Sequence, residues 1–103
     1  MASEHEIQSE ILKKLLDLGI FAFRINTGAY AVDGRFIQYG YPGCSDIIAI
    51  VKGRFVGIEV KSSKGKQSEL QQAFQQNVES ANGIYILACS WEQVETTLKI
   101  YAK

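Results

Sequence analysis

Apolar residues recur every three to four positions at the start of the chain. Ile7, Ile11, Leu15 and Leu18 fall at helical spacing, Leu12 and Leu16 widen the stripe, and Gly19 is a stop, so a helix with a buried apolar face is predicted over about 4–18. The pattern then shortens. Residues 21–25 read as a strand, Asn26-Thr27-Gly28 breaks it, and Asp33-Gly34 marks a weak hairpin between 29–32 and 35–39. Gly40-Tyr41-Pro42-Gly43 is a loop leading into Ser45-Asp46. Residues 47–51 are apolar and mostly β-branched, Lys52-Gly53 is a two-residue turn, and 54–61 resume strand composition. A polar, flexible connection (62–66) follows. Ser68-Glu69-Leu70-Gln71 has the form of a capping box, opening a second long helix whose core side carries Leu70, Phe74, Val78 and Ala81 and which ends near Gly83. Residues 84–88 form a short buried strand, and Ser90 to Gln93 is another capping box before a last helix with Val94, Leu98 and Tyr101 toward the core.

The predicted order is αβββαβα with an extra weak hairpin, an α/β arrangement in which a central mixed sheet is flanked by helices. The helical connection before residue 84 lets that strand run parallel to its neighbour by a right-handed crossover. A length of 103 residues suits one domain, 1–103, with a single core.

Composition narrows the function classes. With 47% apolar residues and one proline the chain is expected to fold. No apolar run approaches a membrane span and the N-terminus lacks a basic region followed by an apolar one, so a cytoplasmic protein with no membrane partner is expected. Cys44 and Cys89 have no metal-ligand or disulfide-framework spacing and read as buried reduced thiols. His5 is the only histidine, which excludes mechanisms needing two in one chain, zinc hydrolases with several histidine ligands among them. No GxGxxG, Walker or GxSxG pattern occurs, and no organic cofactor is expected. A net charge of zero argues against indiscriminate polyanion binding, yet residues 52–66 carry five basic residues (Lys52, Arg54, Lys61, Lys64, Lys66) against Glu59 alone, a modest local footprint for nucleic acid.

The candidate chemistry comes from hairpin register. Counting outward from a Val51–Arg54 pair brings Asp46 opposite Glu59, on one face, with Cβ atoms about 4.5–5.5 Å apart; Lys61, two residues on, points the same way. The alternative is a solvated strand face with ordinary charges. Against it, acids are depleted in strands, and these two flank strongly apolar runs. Two carboxylates so close repel, and a hard divalent cation between them is the natural remedy.

Gly43-Cys44-Ser45-Asp46, then Ile58-Glu59-Val60-Lys61, resembles the signature of the PD-(D/E)XK nucleases. With Glu4-x-x-Ile7-Gln8, Gly65 and Ser68-x-x-Gln71-x-x-Phe74, the chain more narrowly resembles the virus-type replication-repair (VRR-NUC) branch, from about Glu4 to Ala88. The resemblance implies a restriction-endonuclease-like core and a metal-dependent, structure-selective DNA endonuclease. Asp46 and Glu59 would hold Mg²⁺ or Mn²⁺ with the Val60 carbonyl, and Lys61 would orient or deprotonate the attacking water. Glu4 matches the family's N-terminal glutamate, with Glu6 and Glu10 as rivals by position. Gln71 matches a glutamine facing the active site, and it is equally the capping partner of Ser68. Arg24, Asn26, Thr27, Tyr30, Arg35, Ser45, Lys64 and Lys66 are candidates for contacting DNA. Free-standing domains of this branch resemble Holliday-junction resolvases, which implies a four-way junction as partner, a homodimer, and a bacterial or phage-infected host cell. Phe36, Ile37, Tyr39 and Tyr41 are either its dimer surface or core. Alternatives are a flap, nick or end-processing nuclease, and a non-catalytic DNA-binding module of the same fold.

Overall fold

A computed structural model describes residues 2–26 and 28–101. In chain order these form α1 (Glu4–Asp17), β1 (Phe21–Arg24), β2 (Gly28–Val32), β3 (Arg35–Tyr39), β4 (Ile47–Val51), β5 (Arg54–Val60), α2 (Glu69–Ser80), β6 (Ile84–Ala88) and α3 (Trp91–Tyr101). Four strands make a mixed sheet in the order β1-β4-β5-β6, antiparallel except for the parallel β5/β6 pair that α2 connects; β2 and β3 form a separate two-stranded sheet. The elements follow the order that hydrophobic periodicity predicts.

Register assigns the two faces of the main sheet. Ala22, Ala49, Val56 and Ile84 lie across from one another, as do Ile47, Ile58 and Ile86. They pack with Ile11 and Leu15 of α1 and Trp91, Val94 and Leu98 of α3 in one buried cluster. The opposite face carries Phe55, Gly57, Glu59 and Tyr85, and α2 covers it with Phe74, whose ring lies 6.4 Å from those of both Phe55 and Tyr85. Both tight hairpins turn on residue pairs with positive φ, Asp33-Gly34 and Lys52-Gly53, as the twist of antiparallel strands requires.

Several expected core positions are not core. Leu16, Leu18 and Leu70 are exposed, and so is Ala81, the C-cap of α2. Helix α2 packs on β5 and β6, and its first turn lies against the Gly43 loop: a Cβ on Gly43, at φ 82, would collide with the Leu70 carbonyl. Leu70 thus contributes backbone to packing while its side chain faces outward. Tyr101 is exposed at the end of α3, with the Arg54 guanidinium 5.1 Å from its ring. Cys44 and Cys89 are free thiols, half-buried where full burial was expected. Phe36, Ile37, Tyr39 and Tyr41 are all exposed, so the weak hairpin lies outside the core. No helix among the described residues is long and apolar enough to cross a membrane.

Gly57 sits on β5 where the neighbouring atoms leave no room for a side chain. A Cβ there would lie 2.8 Å from the hydroxyl of Ser45, which is fully buried. Gly57→Ala is expected to destabilise the fold by about 1–3 kcal/mol in urea unfolding, a typical overpacking cost. Ser45→Ala combined with it should cost less than the sum of the two single changes, because the clashing oxygen is gone.

Candidate active site

Asp46 closes the loop that precedes β4 and is held from two sides. Its carbonyl accepts the Ile25 amide at 2.9 Å, and its Oδ2 accepts the Val60 amide at 2.8 Å. The Val51–Arg54 register is present, and Ile47 pairs with Ile58, so the next position outward sets Asp46 against Glu59. Ser45 supports this corner from within, its hydroxyl donating to the Ile47 carbonyl at 3.2 Å. Its full burial corrects the expectation that this side chain contacts DNA: the hydroxyl is turned into the fold beside Gly57, where an added Cβ would come within 2.8 Å of it.

Glu59 is 2% exposed, a severe environment for a carboxylate. Its Oε2 accepts the Gln71 side-chain amide at 3.0 Å and lies 3.9 Å from Lys61 Nζ; its Oε1 is buried with no hydrogen-bond partner. Burial, reinforced by the Asp46 charge and by a hydrogen bond that the protonated Glu59 carboxyl makes with the Asp46 side chain, pushes the Glu59 carboxyl up to about 8, with Lys61 opposing. The same negative field reaches further. Burial raises the Cys44 thiol and takes the Tyr85 phenol up to about 12, and in both cases Glu59 and Asp46 add to the rise.

The three N-terminal acids are separated by their partners. Glu6 completes a capping box with Ser3, and Glu10 lies 3.8 Å from Lys14. Glu4 reaches across to accept the Ser62 amide at 3.0 Å, just past Lys61, and its charge contributes to the Glu59 shift. Gln71 bonds in two directions. Its Oε1 accepts the Ser68 amide at 2.9 Å in the capping box, which turns its NH₂ toward Glu59. Glu4, Asp46, Glu59, Val60, Lys61 and Gln71 therefore converge at one end of the sheet.

The expected DNA contacts divide. Asn26, Lys64 and Lys66 are exposed on loops, and Tyr30 and Arg35 are exposed on the β2/β3 hairpin. Arg24 instead turns toward α1, donating to Ser9 Oγ at 3.2 Å, because it shares the helix-covered face of β1 with Ala22. Thr27 lies outside the described residues. Gln67 carries no sequence signal, a lone amide in a polar loop, yet its Nε2 donates to Gln75 Oε1 at 3.0 Å and to Tyr85 Oη at 3.1 Å.

Among the described residues no group of three or more His, Cys, Asp or Glu side chains gathers as a metal site. The Asp46–Glu59 pair nevertheless has the chemistry of a hard-cation site: half-buried Asp46 meets buried Glu59, and one Glu59 oxygen is buried without a hydrogen-bond partner. No protein-family model matches the chain, and no curated protein matches it.

Stability should record this electrostatic conflict. The folded chain holds the Glu59 proton up to about 8, against an ordinary value of 4.5. That contribution to stability is complete below pH 4.5 and is lost as pH rises through about 8. In EDTA, the urea midpoint of the wild type should fall across this window. Glu59→Gln should remove most of that slope, and Mn²⁺ should raise the wild-type midpoint most at the alkaline end.

Proposed function

We propose that the chain is a metal-dependent, structure-selective DNA endonuclease of the VRR-NUC type, a single domain with a restriction-endonuclease-like core. The observation that carries this reading is the buried Glu59 carboxyl, one oxygen of which has no hydrogen-bond partner, set beside half-buried Asp46 and Lys61. Mg²⁺ or Mn²⁺ bound by Asp46, Glu59 and the Val60 carbonyl would supply Lewis-acid polarisation of the scissile phosphate and a more acidic water. The side chains do the rest. Lys61 donates to a phosphoryl oxygen and orients the water whose oxygen attacks phosphorus as the phosphorus–oxygen bond to the leaving strand breaks. Gln71 holds one Glu59 oxygen so that the other stays directed at the ligand site. Glu4 fixes the strand end that carries Lys61.

Branched DNA is the proposed substrate, a four-way junction first. A chain of zero net charge with basic residues gathered near the site suits recognition of DNA shape over a limited surface. Symmetric incision of a junction needs two sites related by a twofold axis, hence a homodimer. The hairpin supports this reading. Register places Tyr30, Val32, Ile37 and Tyr39 on one face, each 39–49% exposed, with Arg35 at its turn end, while Ala29, Ala31 and Gln38 lie on the other with Phe36. An isolated two-stranded sheet is marginal in water, so an uncovered apolar face of this kind gains from a partner. Such a protein would work in the cytoplasm of a bacterium or of a phage-infected cell.

A labelled four-way junction should receive paired symmetric nicks in Mg²⁺ or Mn²⁺ and none in EDTA. Lys61→Ala should slow cleavage by about 10²–10⁴-fold while DNA binding and folding persist. Preferential cutting of flaps or plain duplex would keep the nuclease and discard the resolvase, and no metal-dependent cutting of any substrate would leave a DNA-binding module. In sedimentation velocity the wild type should run as a dimer and Ile37→Asp as a folded monomer.

A further inference from the structure

The connection between Lys61 and α2 is polar and exposed at every residue from Ser62 to Ser68 except Gln67. That residue turns inward and bridges α2 to β6, its single NH₂ group spanning Gln75 Oε1 at 3.0 Å and Tyr85 Oη at 3.1 Å. Gln75, the α2 end of this bridge, lies one turn beyond Gln71 and next to Phe74, whose ring packs near Phe55 and Tyr85 on the sheet. Phe74 fixes the middle of α2 through ring packing. Lys61 ties the start of the connection to β6 through its amide, which donates to the Ala88 carbonyl at 3.0 Å, and Gln67 supplies the side-chain bonds that reach both β6 and α2 itself. The first turn bears Gln71, and a small rotation there would take its amide off Glu59, to which it donates at 3.0 Å. Bonds to a buried carboxylate weaken steeply with misalignment.

We propose that Gln67 is a positioning residue, which through its bridge to Gln75 and Tyr85 holds α2 at the rotation that keeps Gln71 on Glu59 and so presets the carboxylate pair for a divalent cation. This rests on the reading of Asp46 and Glu59 as metal ligands. Outer-shell partners of metal ligands are typically worth about 10–100-fold in metal affinity. Gln71 should fall in that range, and Gln67, one step further out, should be worth about threefold to tenfold.

The test is Mn²⁺ titration by calorimetry on the full chain: wild type, Gln67→Ala, Gln71→Ala, the double variant, and Tyr85→Phe as a second way to open the bridge while keeping the ring. Metal-free thermal unfolding of each variant shows whether it is folded. The expected result is weaker Mn²⁺ binding by Gln67→Ala and Tyr85→Phe, with the double variant no weaker than Gln71→Ala alone, since Gln67 acts through Gln71. Unchanged affinity in Gln67→Ala, or losses that simply multiply in the double variant, would overturn the inference. A folded wild type that binds no Mn²⁺ would remove the metal-site reading itself, and this inference with it.

Discussion

Two carboxylates are held together at the end of a sheet where neither can be fully solvated, and the surrounding structure is organised around keeping them there. The bond from the Val60 amide to Asp46 Oδ2 is central. It places an acid that precedes β4 against the strand that carries Glu59, and it uses a backbone donor that no side-chain rearrangement can withdraw. Repulsion between the acids is offset on one side by Lys61 and on another by the Gln71 amide, but one Glu59 oxygen has no partner. This conflict between a buried carboxyl and a neighbouring acid is the physical basis for the proposed metal-dependent chemistry.

The rest of the fold makes that corner rigid. On one face of the sheet, α1 and α3 bury the aliphatic residues of all four strands, fixing the register that carries the acids to the same point. On the other, α2 brings Gln71 over Glu59 and is itself limited by Gly43, whose lack of a side chain lets the loop before Asp46 lie against the first turn of the helix. Gly57 serves the same end by admitting the buried Ser45 hydroxyl. The glycine and the serine beside Asp46 are thus packing devices, and their contribution to the proposed chemistry is the placement of Asp46.

The β2/β3 hairpin obeys a different constraint. It leaves the sheet after β1 and returns just before Asp46, so it springs from the same end as the acids. Its strands pair only with each other, and its apolar residues meet solvent. Local turn chemistry and cross-strand pairs such as Tyr30 with Tyr39, whose rings lie 6.1 Å apart, hold its shape. They do not supply a core, which is why composition alone left Phe36, Ile37, Tyr39 and Tyr41 open to either reading.

The sequence by itself determined whatever depends on neighbours along the chain: the helices through their periodicity and capping boxes, the two hairpins through Asp33-Gly34 and Lys52-Gly53, and hence the register that opposes Asp46 to Glu59 and aligns Lys61. Only the tertiary structure decided contacts between residues distant in sequence. It assigned Glu4 to Ser62 while Glu6 and Glu10 found partners within α1, buried Ser45 beneath Gly57, turned Arg24 toward Ser9, and gave Gln67 its bridge to Tyr85. It also exposed Leu70, because a helical stripe says which side chains share a side and not how far the neighbouring sheet extends beneath them. Short-range geometry repeats with a fixed period and can be read from spacing, whereas the reach of one element over another is set by how whole surfaces pack.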